Sequence, residues 1–169
     1  PAGTSRNLSL SLSSTFNTKH NTAPFSQIKL EDFKPAFIAN IANAKAEIDA
    51  ITSNSETPSF KNTIEALDFS GEALDRLSSI FFYFISAETS DEMQKIAQEI
   101  SPLLTEFSND IALNEDLFKR VKAVYDQKDH LNLTVEQTTL LDKKFKGFSR
   151  NGALLSDEDK LKLRTIDTE

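Results

Sequence analysis

The chain has 169 residues, 38% of them apolar and 27% charged, a size and balance that suit one ordinary soluble domain. At that length roughly two-thirds of the unfolded surface can be buried, so no metal or disulfide staple is required. With no cysteine there is no disulfide, no thiolate nucleophile and no cysteine-ligated zinc or iron–sulfur site, and a net charge of −7 argues against tracking nucleic-acid phosphates.

The longest apolar run, IFFYFI at 80–85, is far short of the roughly 20 residues a bilayer needs, so no membrane span is expected. The chain opens on Pro1, and its first residues, PAGTSRNLSLSLSS, lack the basic head and apolar core of a signal peptide. A removed leader or a chosen boundary is the reading of that start. The triplets Asn7-Leu8-Ser9 and Asn132-Leu133-Thr134 match the glycosylation pattern, but so short a pattern arises by chance and carries no weight.

Residues 1–23 are rich in Ser, Thr and Asn and read as a flexible polar tail, although the alternation of Leu8, Leu10 and Leu12 leaves a short strand open. A helical domain is expected over 24–169. In its first helix, Phe33, Phe37, Ile41, Ala44, Ile48 and Ile51 recur on one stripe, with Asn40, Lys45, Glu47 and Asp49 off it. Pro35 fits its first turn, and Thr52-Ser53-Asn54 with Pro58 ends it after about 20 residues, or about 30 Å. A second helix is predicted over 59–86 from Phe60, Ile64, Leu67, Leu74, Leu77, Phe81 and Phe84, antiparallel to the first. Gly71 lies on its apolar face, where the cost of a glycine points to close helix approach or a kink.

Thr89-Ser90-Asp91-Glu92 has the form of a capping box for a third helix, with Met93, Ile96, Ile100, Leu103, Phe107 and Ile111 buried and Pro102 bending it. Asn114 starts a fourth helix with Leu117, Val121, Val124 and Tyr125. Thr134 with Gln137 caps a fifth, with Leu140, Leu141, Phe145 and Phe148 inward and Asn151-Gly152 as its stop. Ser156 with Asp159 starts a sixth, containing Leu161, Leu163 and Ile166, with no stop signal before Glu169. The fold class is therefore all-α, an irregular bundle of about six helices with long antiparallel pairs and no tandem repeat.

Sites for chemistry are not legible. His20 falls in the tail, and His130 follows Asp126 and Asp129 in a turn that is polar because it is wet rather than chelating. Glu65, Asp68, Glu72 and Asp75 are spaced as one acidic stripe, best read as a solvated face, and no Glu-x-x-His accompanies them. Lys119, Arg120 and Lys122, and then Lys143, Lys144, Lys146 and Arg150, suit solvated or helix-end positions, with a groove for a peptide or acidic partner as the sharper alternative. No phosphate loop and no nucleophile elbow occurs. No catalytic, cofactor-binding or metal-binding residue is nominated. The aromatics Phe81, Phe82, Tyr83 and Phe84 point around a helix, so they lie at the bundle centre or meet further protein.

Three stretches carry a likeness: PFSQIKLEDFKPAFIANIANAKAEIDAI at 24–51, PSFKNTIEALDFSGEALDRL at 58–77, and 100–164 with ISPLLTEFSNDIALNEDLFKRVKAVYD and LTVEQTTLLDKKFKGFSRNGALLSDEDKLKLR. Together they resemble the amino-terminal region of the thimet-oligopeptidase family of zinc metallopeptidases, and within it the bacterial peptidyl-dipeptidases. The patterns F-x-N-T-I-x-A-L at 60–67 and F-S-R-N-G-A-L-L at 148–155 are the most specific pieces.

The resemblance implies a longer, almost wholly helical chain whose two halves enclose a channel for short peptides. It implies zinc held by His-Glu-x-x-His and a later glutamate in the carboxy-terminal half, with dipeptides released from the free carboxyl end. This sequence has no His-Glu-x-x-His, so no zinc ligand or catalytic residue carries over. What carries over is a structural role, with 33–51 and 60–84 as wall or lid helices of the channel.

The expectation is thus a non-catalytic amino-terminal domain, cut before the catalytic domain and inactive alone, with the carboxy-terminal half as partner and zinc only in the parent. The parent would act in the bacterial cytoplasm or periplasm, and the isolated chain would self-associate weakly. An oligopeptidase cutting internally, or a freestanding helical interaction module, are the alternatives.

Overall fold

The computed structural model describes residues 29–87 and 90–168. The polar tail, the alternating leucines, His20 and Thr89 lie outside the described residues. Among the described residues every regular element is helical: α1 (Leu30–Thr52), a π-helical segment (Phe60–Glu65) running into α2 (Ala66–Phe69), α3 (Glu72–Ala87), α4 (Asp91–Ala112), α5 (Glu115–Tyr125), a 3-10 turn (Lys128–His130), α6 (Val135–Arg150) and α7 (Asp157–Thr168). The described residues fall into two compact units, 29–44 with 71–103 and 45–70 with 104–168.

In the first unit the apolar stripe of α1 is buried as expected. Phe33, Ala36, Phe37, Ile41 and Ala44 share a core with Leu74, Leu77, Ile80 and Phe81 of α3 and with Met93 and Ile100 of α4. Ring contacts fix an antiparallel sense for α1 and α3: Phe33 and Phe37 lie 4.9 and 5.5 Å from Phe81, and Phe33 lies 5.9 Å from Phe84. Tilted and edge-on ring pairs of this kind add to what their buried area contributes. Asn40 departs from its expected place off the stripe: it is buried, and its Nδ2 donates to Ala36 O at 2.8 Å. Pro35 sits beyond the first turn of α1, so the helix forgoes one interior bond there.

The helix expected over 59–86 is interrupted. Ser70 is extended (φ −65°, ψ 139°) and Gly71 has φ +76°, a left-handed residue that no continuous right-handed helix contains. A Cβ at Gly71 would stand 3.9 Å from Ala44 Cβ, ordinary contact rather than a squeeze. Neither close approach nor a kink within one helix describes this glycine: it separates two helices. The cap of α4 also shifts by one residue: Ser90 Oγ accepts from Met93 N at 3.2 Å. α4 then runs through Pro102.

In the second unit, Ile48 and Ile51 of α1, Ile64, Leu67 of α2, Leu117, Phe118, Val121 and Val124 of α5, and Leu141 and Phe148 of α6 form one core. Phe118 lies 5.9 Å from Phe145 and 6.0 Å from Phe148, and Tyr125 stacks on Phe145 at 3.9 Å. The caps read from sequence hold: Asn114 accepts from Leu117 N at 2.9 Å, Thr134 and Gln137 form a reciprocal box, and Ser156 accepts from Asp159 N at 3.2 Å. Gly152 (φ +93°) ends α6, with Ala153 N donating back to Phe148 O at 3.1 Å.

Candidate functional site

The residues weighed as ligands do not converge. His130 is exposed at the end of the 3-10 turn, Asp129 is exposed beside it, and Asp126 is held by Lys122 at 2.5 Å. Among the described residues no group of three or more His, Asp or Glu gathers to hold a metal ion. The acidic stripe is split by the break at Gly71. Asp68 pairs with Lys144 at 2.9 Å in one unit, and Glu72 pairs with Arg76 at 2.7 Å in the other.

Arg120 is not the surface cation its spacing suggested. It is buried, and its guanidinium donates to Asn54 O at 2.7 Å, Glu56 O at 3.4 Å and Asn62 Oδ1 at 3.3 Å. Asn62 Oδ1 also takes Ser59 N at 2.8 Å and Thr63 Oγ1 at 2.9 Å, so one amide closes the capping box and receives the arginine. This network ties the loop after α1 to the π-helical segment and α5. Lys119 and Lys122 are exposed and paired along α5 with Asp116 and Asp126.

A charge cluster that no motif announces joins α1, α4 and α7 within the second unit. Asp110 accepts from Lys45 at 2.8 Å through Oδ2 and from Arg164 at 2.9 Å through Oδ1. Partial burial pushes the Asp110 carboxyl up, but the hydrogen bonds and charges of Lys45 and Arg164 outweigh it and hold the group below its ordinary value. The partners lie 65 and 54 residues away in sequence, so only packing brings them together. They line a cavity of about 360 Å³ with Asp49, whose charge leaves the lining balanced.

Two further cavities meet along the carboxyl-terminal halves of α4 and α6. The smaller, about 280 Å³, is lined by the buried Leu67 and Phe148, by Ile111, Ala112 and Lys144, and by the exposed Lys143, with Ser108, Gly147 and Asn151. The larger, about 510 Å³, shares Ser108, Ala112 and Asn151 with it and continues past Arg150 toward Gly152, Leu155 and Asp167. Three of the basic residues singled out at the end of α6 therefore stand at these cavities. Lys146 lines neither.

No established family profile matches the chain. Over 145 residues, 86% of its length, it is 41% identical to the dipeptidyl carboxypeptidase of Escherichia coli K12 and 40% identical to that of Salmonella typhimurium LT2. Over 151 residues it is 24% identical to oligopeptidase A of the Salmonella strain. The resemblance drawn from the sequence holds, and the identity is higher toward dipeptidyl carboxypeptidase than toward oligopeptidase A. The chain spans about a fifth of the length of these curated relatives: 21% of each carboxypeptidase and 22% of the oligopeptidase.

Proposed function

We propose that this chain is the amino-terminal helical domain of a zinc-dependent peptidyl-dipeptidase, and that it shapes the wall or lid of a channel from which dipeptides leave the carboxyl end of short peptides. One observation carries the reading: 41% identity to dipeptidyl carboxypeptidase over 86% of the chain. The lower identity to oligopeptidase A, 24%, favours dipeptide release over internal cleavage. Among the described residues no three His, Asp or Glu converge as a zinc site would need. On this reading the metal and its base sit in a carboxy-terminal half, the intramolecular partner of this domain. The parent enzyme works in the bacterial cytoplasm or periplasm. Among the described residues no helix is long and apolar enough to cross a membrane.

The test is the coding sequence beyond Glu169 and the activity of its product. A downstream His-Glu-x-x-His and release of dipeptides from amino-blocked tetrapeptides are expected. Cleavage of carboxyl-amidated peptides at internal bonds would instead favour an oligopeptidase. A stop codon after Glu169 would overturn the reading in favour of a freestanding module. The 169 residues alone are expected to turn over no peptide and to show no stoichiometric zinc binding in calorimetry. Chelator-sensitive cleavage by the pure chain would contradict both.

A further inference from the structure

Gly147 is a glycine that the fold does not use. It lies inside α6 (Val135–Arg150), its φ is not positive, and a Cβ built on it meets nothing within 4 Å. A glycine inside a helix costs propensity relative to alanine, and here no turn, no left-handed residue and no close approach offsets that cost. What it leaves is space, the cavity of about 280 Å³ that Gly147 itself lines. That volume is near the lower end of small-molecule sites, about 300 Å³.

The lining is chemically one-sided. The buried Leu67 and Phe148 with the half-buried Ile111 and Ala112 supply an apolar floor, and the exposed Lys143 with the half-buried Lys144 supplies the charge at its mouth, with no carboxylate in the lining. Lys144 engages Asp68 at 2.9 Å, whereas Lys143 is exposed and makes no ion pair with any described residue. In a chain with 26 acidic and 19 basic residues, a mouth of this sign is against the overall balance. An apolar floor beneath a free ammonium selects an apolar group that carries an anion. The adjoining cavity of about 510 Å³ gives such a ligand room to continue.

We propose that the cavity beside Gly147 binds small amphipathic carboxylates, with the apolar group on the Leu67–Ile111–Phe148 floor and the carboxylate at Lys143. Two sources share this chemistry: the carboxyl-terminal residue of a short peptide, and a free aliphatic acid. The inference goes beyond the reading above. It requires neither zinc nor cleavage, and its failure leaves that reading as it stands.

The test titrates the 15N-labelled 169-residue chain with N-acetyl-alanyl-phenylalanine, its carboxyl amide, and octanoate, following backbone amides and heat. Saturable shifts at Ser108, Gly147 and Asn151 are expected with at least one of the two acids. Response to the peptide acid alone assigns the source as a peptide terminus, and response to octanoate alone assigns a free acid. Removing the charge, in the amide ligand or in Lys143→Gln, should weaken binding about two- to fivefold, the scale of an exposed ion pair. Lys143→Arg should retain it.

Gly147→Leu fills the cavity and should weaken binding by about tenfold or more, while melting at or above the parent temperature because helix propensity improves. Should that variant fold poorly, the Lys143→Gln and Lys143→Arg pair and the amide ligand still decide. No saturable shift at those three amides with either acid would overturn the proposal. So would an amide that binds as tightly as its acid, or unchanged binding by a folded Gly147→Leu.

Discussion

Gly71 and Gly152 both have positive φ, +76° and +93°, but they differ in what surrounds them. A Cβ at Gly71 meets only Ala44 Cβ at 3.9 Å, so the penalty for a side chain there is conformational. Gly71→Ala and Gly71→Leu should therefore cost alike, about 1–2 kcal/mol, in a urea melt. A leucine variant much worse than the alanine variant would mean that packing, not backbone, sets the requirement. At Gly152 a Cβ would meet Leu155 and Leu163 at 3.0 Å and Leu113 at 3.2 Å, adding compression to strain. Gly152→Ala should be the more damaging change, about 2–4 kcal/mol. Arg120→Ala strips three acceptors of their buried donor and should cost about 2–3 kcal/mol, with Arg120→Lys in between because an ammonium cannot span the same fork. Equal stability of the alanine variant and the parent would remove the arginine from any structural role.

At the scale of elements, Asp110 is the point where α1, α4 and α7 are held by charge within one unit. Its folded carboxyl lies below the ordinary aspartate value, so its contribution is complete above the unfolded value of about 4 and is lost as pH falls through the folded one. Glu115 acts in the same direction, lowered by the hydrogen bond and charge of Lys160 against a smaller opposing effect of desolvation. Melting temperature should be flat between about pH 7 and pH 5 and fall below about pH 4. Asp110→Asn should begin lower at neutral pH and lose less on acidification. A parallel pair of pH profiles would show that this carboxylate does not couple to folding.

The helix starts were legible because each is local. Asn114, Thr134 and Ser156 act on backbone groups three residues away, and the sequence displays both ends of each bond. The break at Ser70–Gly71 was not, since the apolar spacing from Leu67 to Leu74 runs across it as though the helix continued. The π-winding of Phe60–Glu65 and the burial of Asn40 and Arg120 were hidden for a related reason: each depends on what packs alongside. The basic residues at the end of α6 were visible as charges, but only the structure sets Lys143 and Lys144 over an apolar floor.

At the scale of the molecule, each unit leaves large apolar side chains in solvent. Tyr83 is 68% exposed on α3, with Phe82 also exposed, so the aromatic run has a buried side at Phe81 and an uncovered one. In the second unit Leu154 (70%), Leu155, Leu161 (67%) and Ile166 (67%) all fall on α7 and the turn leading into it. Single exposed leucines are ordinary, but patches beyond a few hundred Å² mark surfaces that bind protein or associate. The isolated chain should therefore bind a hydrophobic dye and sediment with a mass that rises over roughly a hundredfold range of concentration. Leu154→Glu with Leu161→Glu removes apolar surface that the core does not use, so it should reduce dye binding and self-association without lowering the melting temperature. If the carboxy-terminal half of the proposed parent covers this surface, supplying it separately should displace the dye from the parent chain and less so from the double variant. A strictly monomeric chain that binds no dye would mean that these side chains are tolerated individually and form no docking surface.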